Sequence, residues 1–382
     1  MTKRLRVGIV TLQDVPNYGA ALQAFALKMT IGHFADIDVI NYHNPHVSRE
    51  MQLVRSARNL RQLMGTGKDL LRLRSRRRAL QRFRDFQAEV LKLSPPMTSE
   101  ELTQRGDDGR DAYICGSDQI WNPSCVSADG ALDPVYFLDF ADRARKIAYA
   151  ASVGHYKFNS VEQEKVRELL CGFSALSVRE ADAVEIVQPL VHRMVHHTLD
   201  PTLLIDRAGW EDLLASSGNA AETRFRDPYI FVYSVPKSKL IAPAVSHFAR
   251  SLRSSVVSFE PDPFFRVESS AVVNDGGPLE FLTLLSKARF VVTDSFHGVC
   301  FSILMNRPFV AVSPGIHSNR IVDLLTRLGL MDRYVGDSES LKTVGESVDF
   351  SNAKDILGRE REVSVSFLKN ALLTQVSHPP RP

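Results

Sequence analysis

Between residues 290 and 298 the chain has the sequence Phe290-Val291-Val292-Thr293-Asp294-Ser295-Phe296-His297-Gly298. The apolar run that starts at Phe290 ends abruptly at polar residues, and a helix-like apolar run begins at Val299. This change of pattern predicts a buried strand followed by a helix. In open α/β sheets, ligands bind at the carboxyl ends of the strands, where the next helix offers free backbone N–H groups to an anion. The stretch therefore predicts an α/β fold with a ligand site at this strand end.

His297 is the residue of this stretch that most directly suggests chemistry. A histidine titrates near neutral pH, so at a strand end it can transfer a proton or contact a phosphate group. The alternative is that His297 caps its helix or packs in the core, which is the more frequent role of a lone histidine. Asp294 and Ser295 add polar groups to the same strand end, and they favour the functional interpretation.

Length and composition predict two domains, or one unusually large one, with full hydrophobic cores, because the chain has 382 residues of which 44% are hydrophobic. No apolar run approaches the roughly 20 residues of a membrane-spanning helix, and the apolar stretch after Arg4 is too short for a signal peptide. We therefore expect a cytoplasmic protein. The four cysteines form no Cys-x-x-Cys pair, and the spaced histidines His192 and His196 lack an acidic partner. We expect neither a disulfide framework nor a metal site.

A basic segment extends from about residue 49 to residue 92, with 13 Lys/Arg and 4 Asp/Glu in a chain whose net charge is only +3. Its apolar residues recur at helical spacing and predict two amphipathic helices around a break at Gly65-Thr66-Gly67. One interpretation of the segment is a solvated charged face. The other is peripheral contact with an anionic membrane, at its inner face, or with a lipid diphosphate carrier. No nucleic-acid reader motif is present, so we do not expect nucleic acid as a partner.

The first half of the chain alternates predicted strands with polar or glycine-containing loops. The predicted strands are Leu5–Thr11, Asp38–Tyr42, Ala112–Cys115, Lys146–Ala150 and Ala175–Val178, with a first helix over Ala20–Met29. The carboxyl ends of parallel strands meet at one edge of a sheet, so we expect the loop residues Asn17, Asp118, Ser152 and Arg179 to converge on one cleft. Each of them is also a plausible turn or cap residue.

The alternation restarts after a turn-and-strand predicted at Leu199–Ile205, which we interpret as the crossover between two halves. The elements predicted beyond it are strands at Tyr229–Val235, Ser255–Phe259 and Phe309–Val312, helices at Ile241–Leu252, Leu279–Leu285, Arg320–Leu328 and Ile356–Leu373, and a disordered tail at His378–Pro382. The predicted domains are residues 1–198, with the basic segment inserted, and residues 199–345. We expect residues 346–382 to form a helix that crosses back to the first domain, followed by the tail.

Several motifs occur in an order that resembles the polysaccharide pyruvyl transferase family. They are Asn17-Tyr18-Gly19-Ala20-Ala21-Leu22-Gln23, Gly116-Ser117-Asp118-Gln119-Ile120-Trp121-Asn122, Tyr149-Ala150-Ala151-Ser152-Val153-Gly154, Ser177-Val178-Arg179-Glu180, Asp200-Pro201-Thr202-Leu203-Leu204 and Thr293-Asp294-Ser295-Phe296-His297-Gly298. The resemblance extends to about residue 330. It implies two Rossmann-like domains that face a cleft, as in GT-B glycosyltransferases.

The resemblance also implies the reaction. A pyruvyl group would pass from phosphoenolpyruvate to a sugar of a bacterial-type exopolysaccharide, capsule or cell-wall glycan, commonly as a ketal, with no metal or organic cofactor. The sugar acceptor is either free or lipid-linked. The catalytic candidates are His297, Asp118 and Asp294. The substrate-binding candidates are Asn17, Tyr18, Gly19, Ser117, Gln119, Asn122, Ser152, Arg179, Ser295, Gly298 and Arg320.

The chain departs from the family pattern at one position. Relatives often carry an arginine two residues before the cleft histidine, where this chain has Ser295. That arginine would contact the phosphate of the donor, so another cation must replace it. We expect Arg179 and Arg320 to share this role.

Two other functions remain open. A GT-B nucleotide-sugar glycosyltransferase usually places a ribose-binding glutamate about seven residues before the proline of the next strand, and here the count back from Pro308 gives Phe301, which cannot accept hydroxyl hydrogen bonds. The second alternative is a non-catalytic glycan-assembly protein. Such a protein would tolerate the loss of His297, whereas an enzyme would not.

Overall fold

The strands form two parallel sheets, as the sequence predicts. The computed structural model describes residues 4–55, 60–218, 225, 227–260, 262, 264–265, 267–315 and 318–373. The first sheet contains β1 Leu5–Val10, β2 Ala35–Val39, β3 Ala112–Cys115, β4 Arg145–Ala151, β5 Phe173–Val178 and β6 Val195–His197. The second contains β7 Tyr229–Tyr233, β8 Ser255–Phe259, β9 Ala271–Val273, β10 Phe290–Thr293, β11 Phe309–Val312 and β12 Tyr334–Val335.

Each sheet has a point at which the strand order reverses. The first sheet has the order β2-β1-β3-β4-β5-β6, and its reversal lies between β1 and β3. The second has the order β12-β11-β10-β7-β8-β9, with its reversal between β7 and β10. Ligands of doubly wound sheets bind outside the strand ends at such points. Residues 290–298 therefore lie at the point of the second sheet where a ligand would bind.

Helices connect the strands in nearly every crossover. They are α1 Tyr18–Gly32, α2 Leu60–Leu71, α3 Leu73–Asp85, α4 Ser99–Arg105, α5 Pro123–Val126, α6 Ser160–Cys171, α7 Ala181–Val187, α8 Arg207–Ser216, α9 Ile241–Leu252, α10 Pro278–Lys287, α11 Phe296–Leu304, α12 Asn319–Arg327 and α13 Ser351–Leu373. A π-helical stretch at Phe86–Leu91 continues α3. None of the helices within the described ranges is long and apolar enough to cross a membrane.

Helix α1 lies between the two halves of the molecule. It is buried nearly all round, which is typical of a helix packed on several sides. Its first residue, Tyr18, stacks on Phe281 at a centroid distance of 5.3 Å and contacts Phe259 edge-on at 5.0 Å. Because both partners belong to the second half, this aromatic contact fixes the start of α1 against the second sheet.

Two predicted elements differ from the structure. The strand predicted at 38–42 lies earlier in the chain, as β2 at Ala35–Val39. This position follows from its pairing with β1, in which Ala35 lies opposite Leu5 and Val39 opposite Ile9. The turn-and-strand predicted at 199–205 is a 3₁₀ turn at Pro201–Leu203. There the Asp200 carboxylate accepts hydrogen bonds from the backbone N–H of Thr202 at 2.9 Å and from its hydroxyl at 2.7 Å. These local bonds compete with strand pairing and hold the chain in a turn.

The predicted break at residues 65–67 is also wrong. Helix α2 runs through both glycines, and the break falls at Arg72. Two glycines in a helix cost about 1–2 kcal/mol relative to alanine, which tertiary contacts can outweigh. Arg55 contacts this helix, where its Nε donates a hydrogen bond to Asp69 at 2.8 Å. Its Nη2 would lie 3.5 Å from a Cβ at position 65. That distance is an ordinary van der Waals contact, so the ion pair of Arg55 with Asp69 holds the helix in place without requiring a glycine at 65.

Much of the basic charge of this segment is paired within the molecule. Lys68 contacts Asp262 at 2.7 Å, and Arg78 contacts Asp275 at 2.6 Å. Arg82 bonds to the carbonyl of Asp275 at 2.7 Å. These acidic partners all belong to the second half of the chain. The segment therefore ties the two halves together.

Helix α13 returns to the first half. Arg145 donates to the carbonyl of Ala371 at 3.2 Å, and the Ser364 hydroxyl accepts from the backbone N–H of Leu199 at 3.0 Å. The domain boundaries given above remain predictions. The predicted disordered tail at 378–382 lies outside the described residues.

Candidate functional site

A polar cavity of about 120 Å³ lies where the reversal points of the two sheets face each other. The first half contributes Asn17, Asp118 and Gln119, and the second half contributes Tyr233, Val235, Pro236, Asp294, Ser295, Phe296, His297, Pro314, Arg320 and Ile321. A larger groove of about 1320 Å³ lies toward the other end of α1, and no predicted site residue lines it. The small cavity is therefore the candidate site, because acidic, basic and histidine side chains that could bind a substrate or transfer a proton line its wall.

Arg179 lies beneath this cavity rather than in its wall. Its Nε donates to Glu180 at 3.0 Å, Nη1 donates to Asp200 at 2.8 Å, and Nη2 donates to Asp118 at 3.3 Å. Nη1 also reaches the Ser117 hydroxyl at 3.3 Å. The side chain is fully buried. Every nitrogen of the guanidinium thus makes at least one hydrogen bond within the protein, and a direct contact of Arg179 with a donor stays a prediction.

The carboxylates around Arg179 differ in their electrostatics. Burial would raise the pKa of Asp200, but His297, Arg179 and the backbone N–H of Thr202 hold it well below its usual range. Burial raises the pKa of Glu180, and its contact with Arg179 does not fully offset this effect. One oxygen of Glu180 accepts from the Ser152 hydroxyl at 2.7 Å, whereas the other is buried without a hydrogen-bond partner in the described part of the chain.

His297 packs tightly against the start of α1. A Cβ on Gly19 would lie 2.0 Å from His297 Nδ1, so only glycine allows this approach. His297 Nε2 is 3.8 Å from Asp200 Oδ2, which is beyond hydrogen-bond distance, and it has no partner among the residues described. The imidazole is thus held firmly, and its buried Nε2 faces the Asp200 carboxylate without a hydrogen bond.

Arg320 is the cation in the wall of the cavity. It belongs to the first turn of α12, and its Nε is buried without a hydrogen-bond partner in the described ranges. Its guanidinium lies 5.9 Å from the centre of the Phe296 ring, and Arg179 lies 5.2 Å from the same ring. Burial and the nearby Arg179 lower the pKa of Arg320, although an arginine remains charged at neutral pH. A half-buried cation whose Nε is buried without a hydrogen-bond partner favours the binding of an anion.

The two predicted catalytic aspartates occupy different environments. Asp294 accepts from the Ser234 hydroxyl at 2.7 Å and from the backbone N–H groups of Val235 and Ser238 at 2.8 Å each. With both oxygens engaged, Asp294 fixes the loop after β7. Asp118 uses Oδ1 for Arg179 and for its neighbour Gln119. The structure shows no hydrogen bond to its Oδ2 from any described residue, so Asp118 retains a free oxygen at the cavity.

The other predicted residues fall into two groups. Asn17 and Ser295 line the cavity and cap α1 and α11, and Gln119 lines it beside them. The residues outside the wall are Tyr18 in the aromatic contact, Gly19 and Gly298 at close approaches, and Ser117, Asn122 and Ser152 in supporting hydrogen bonds. Tyr18 is therefore a packing residue here and not a wall residue. Its hydroxyl bonds to the carbonyl of Gly276 at 3.4 Å.

Sequence reasoning missed Glu180 and Asp200 as site residues. Glu180 directly follows Arg179 at the end of β5, so its position at a strand end was a usable signal. Asp200 looked like an ordinary turn residue before Pro201, and only the tertiary structure brings it to Arg179. Among the residues the structure describes, no group of three or more His, Cys, Asp or Glu side chains is arranged to hold a metal ion.

Comparison with solved structures shows the fold. The UDP-GlcNAc 2-epimerase from Neisseria meningitidis matches with a TM-score of 0.53 at 10% identity, over 96% of this chain and 100% of that chain. The Methanocaldococcus jannaschii UDP-GlcNAc 2-epimerase matches with a TM-score of 0.51 at 10% identity, over 94% and 99%. Both support the GT-B-like arrangement of two Rossmann-like domains. No curated protein sequence matches the chain.

A comparison with family models shows the family. The model for polysaccharide pyruvyl transferase matches residues 17–315, which contain the motifs at both sheet edges and the whole cavity wall up to Pro314. The match covers most of the chain. The protein therefore belongs to the polysaccharide pyruvyl transferase family.

Proposed function

We propose that the protein transfers a pyruvyl group from phosphoenolpyruvate to a sugar of a bacterial-type glycan, as a ketal across two hydroxyls. The observation that carries the proposal is the buried Nε of Arg320, which has no hydrogen-bond partner among the described residues and lies beside His297 in a polar cavity. Phosphoenolpyruvate has a phosphate and a carboxylate, and both anions need charged or N–H donors when they leave water.

The size of the cavity favours a compact donor. Sites for drug-sized ligands typically measure about 300–1,000 Å³, and this cavity measures about 120 Å³. A nucleotide sugar needs more room than the cavity provides, whereas phosphoenolpyruvate is a small molecule. The size therefore supports the pyruvyl donor over the glycosyltransferase alternative.

The residues of the cavity suggest a division of roles. Arg320 and the free N–H groups at the start of α11 would hold the phosphate where relatives use an arginine at the position of Ser295. His297 would protonate the methylene carbon of the donor, which makes its second carbon electrophilic. Asp118, with its free oxygen, would accept the proton of the attacking sugar hydroxyl.

The reaction balances without a further reagent. Protonation of the methylene carbon forms the methyl group, and the first sugar hydroxyl adds to the neighbouring carbon. The second hydroxyl then displaces phosphate from that carbon, which completes the ketal. One hydroxyl proton replaces the proton that His297 gave, and the other leaves with the inorganic phosphate.

The test is an assay of donor and acceptor together. The protein is incubated with phosphoenolpyruvate and a panel of free and lipid-linked glycosides, and released phosphate and product mass are measured. We expect a mass gain that corresponds to a pyruvate ketal and an equal amount of phosphate. UDP-sugars are tested in parallel, and transfer from them without any turnover of phosphoenolpyruvate would establish the glycosyltransferase alternative.

His297→Ala is the variant that tests the chemistry. Loss of general acid–base catalysis typically costs ~10²-fold or more in turnover, while the fold should persist because the ring packs at the edge of a cavity. His247→Ala on α9 is a matched control, because it removes a histidine from another surface. Turnover of His297→Ala within about threefold of the parent would exclude the proposed acid–base role.

A further inference from the structure

One exposed apolar surface remains outside the proposed chemistry. Met64, Leu70 and Leu71 on α2 are 67%, 58% and 71% exposed, and Phe264 from the second half is 64% exposed. Together with Gly67 and Lys68 they line a shallow groove of about 690 Å³. We refer to this groove as the α2 surface. Large apolar side chains that cluster in this way on a protein surface usually mark an interaction site.

The arginines that follow along the chain give this surface a positive border. Arg74 and Arg77 on α3 are exposed and make no hydrogen bond or ion pair with any described residue. Arg74 comes three residues after Leu71, on α3, the helix that follows α2 beyond the break at Arg72. Lys68 and Arg78, in contrast, are neutralised by Asp262 and Asp275. Arg74 and Arg77 therefore carry positive charge close in sequence to the apolar side chains of α2.

The α2 surface is connected to the catalytic cavity through a chain of polar contacts. Lys68 contacts Asp262, whose backbone N–H donates to Glu260 at 2.6 Å. Glu260 pairs with Lys237, which donates to the carbonyl of Ser234 at 3.1 Å. Ser234 in turn bonds to Asp294 in the cavity wall at 2.7 Å.

These contacts show on which side of the molecule the α2 surface lies. The loop that carries Asp262 and Phe264 follows β8, so it lies at the same carboxyl edge of the second sheet as the cavity. A body that docks on the α2 surface therefore comes close to the opening of the site.

We propose that the α2 surface seats the protein on an anionic lipid bilayer. Apolar side chains bordered by unpaired arginines match the interface of such a bilayer, where hydrocarbon lies beneath negatively charged head groups. A helix of twelve residues that exposes its apolar side can lie in this interface without spanning it. The position at the cavity edge would bring a lipid-linked sugar to the site. This consequence rests on the proposed function, whereas the membrane contact itself does not.

The test is flotation of the full-length protein with vesicles of phosphatidylcholine, alone or mixed with phosphatidylglycerol. We expect binding to the anionic vesicles at low salt, and much weaker binding to neutral vesicles or at high salt. The double variant Leu71→Gln and Phe264→Gln should lower vesicle affinity by at least about tenfold, because two apolar side chains no longer enter the bilayer. Arg74→Ala and Arg77→Ala should each lower it about fivefold at low salt.

Matched controls separate this surface from general effects of exposed residues. Val161→Gln and Met194→Gln replace side chains that are 80% and 68% exposed elsewhere, and Lys157→Ala and Lys165→Ala remove charge elsewhere. The controls should bind vesicles as the parent does. Turnover of a free glycoside should be the same in all these proteins, so the membrane result does not depend on the assay of function.

Three outcomes would overturn the proposal. The first is a parent protein that does not float with anionic vesicles even at low salt. The second is equal loss of binding in the α2 variants and in the controls. The third is a sedimentation experiment in which the parent self-associates, the double variant does not, and neither binds vesicles, because the surface would then be an interface between copies of the chain.

Discussion

The two sheet edges that meet at the cavity hold their charges in different ways. At the first edge, Arg179 donates to three carboxylates and is completely buried. At the second edge, Arg320 and His297 each have a buried nitrogen without a hydrogen-bond partner in the described part of the chain. A charged group whose donors already have partners forms few new hydrogen bonds with a ligand. A buried donor without a partner gains a hydrogen bond when a ligand of opposite charge binds. We therefore expect the charges at the first edge mainly to stabilise the fold, and Arg320 at the second edge to bind a ligand.

Arg179→Ala should have the largest effect on stability. Removal of the guanidinium leaves Asp118, Glu180 and Asp200 close together without their shared cation. Breaking a buried ion pair in this way typically costs about 3–5 kcal/mol of unfolding free energy. Urea unfolding of the variant and the parent, with Arg167→Ala on the surface as control, measures the difference. An unfolding free energy within about 1 kcal/mol of the parent would show that the network is not structural.

Gly19→Ala should affect catalysis more than stability. The new Cβ would lie 2.0 Å from His297 Nδ1, so the ring must move by about an ångström or more. A displacement of that size can lower turnover by about 10²-fold. Gly32→Ala at the other end of α1 is the matched control, because a Cβ there meets no atom within 4 Å. Equal turnover of the two variants would mean that the position of His297 does not limit the reaction.

Arg320→Ala should weaken donor binding while the fold stays intact. A lost hydrogen bond to a charged group costs about 1.5–3 kcal/mol, which corresponds to roughly a ten- to hundredfold rise in the dissociation constant of phosphoenolpyruvate. Calorimetric titration measures it, with Arg250→Ala on α9 as the control cation. If Arg320→Ala binds the donor as tightly as the parent, the phosphate lies elsewhere and the contrast between the two edges fails.

Asp200→Asn and Glu180→Gln should respond to pH in opposite directions. The pKa of Asp200 is lowered by folding, so its charge stabilises the fold above the unfolded pKa of about 3.8, and this contribution is lost as the pH falls below that value. The pKa of Glu180 is raised, so the native state loses stability as the pH rises above the unfolded pKa of about 4.5.

We therefore expect Asp200→Asn to be less stable than the parent at pH 7 and to approach it only in acid. The stability of Glu180→Gln relative to the parent should rise as the pH increases from about 4.5 to 7, because the variant has no carboxyl group to ionise in the buried site. Denaturant unfolding at a series of pH values measures both. If the unfolding free energies of the two variants changed with pH in the same direction, the pKa values of Asp200 and Glu180 would not be shifted in opposite directions.

Particular elements show how far the sequence could predict this molecule. Helix α9 and strands β3, β8 and β11 have the predicted bounds, because their apolar patterns are strong and turn residues flank them. Strand β9 and strand β12 were missed, since three and two residues carry too little pattern to be recognised. The break in the basic segment was misplaced because glycine lowers helix propensity, whereas the contacts of Arg55 and Asp69 hold α2 together.

The sequence by itself determined the parallel α/β class, the family, and the strand ends that carry Asn17, Asp118, Asp294 and His297, because hydrophobic pattern and turn chemistry act locally. Only the tertiary structure shows which charged side chains already have hydrogen-bond partners within the protein and which have none among the described residues. The carboxylates that accept hydrogen bonds from Arg179 come from positions 118, 180 and 200. No local sequence pattern shows that each nitrogen of this guanidinium has such a partner. The free cation, Arg320, is recognised only when burial and the absence of a partner within the described residues are seen together.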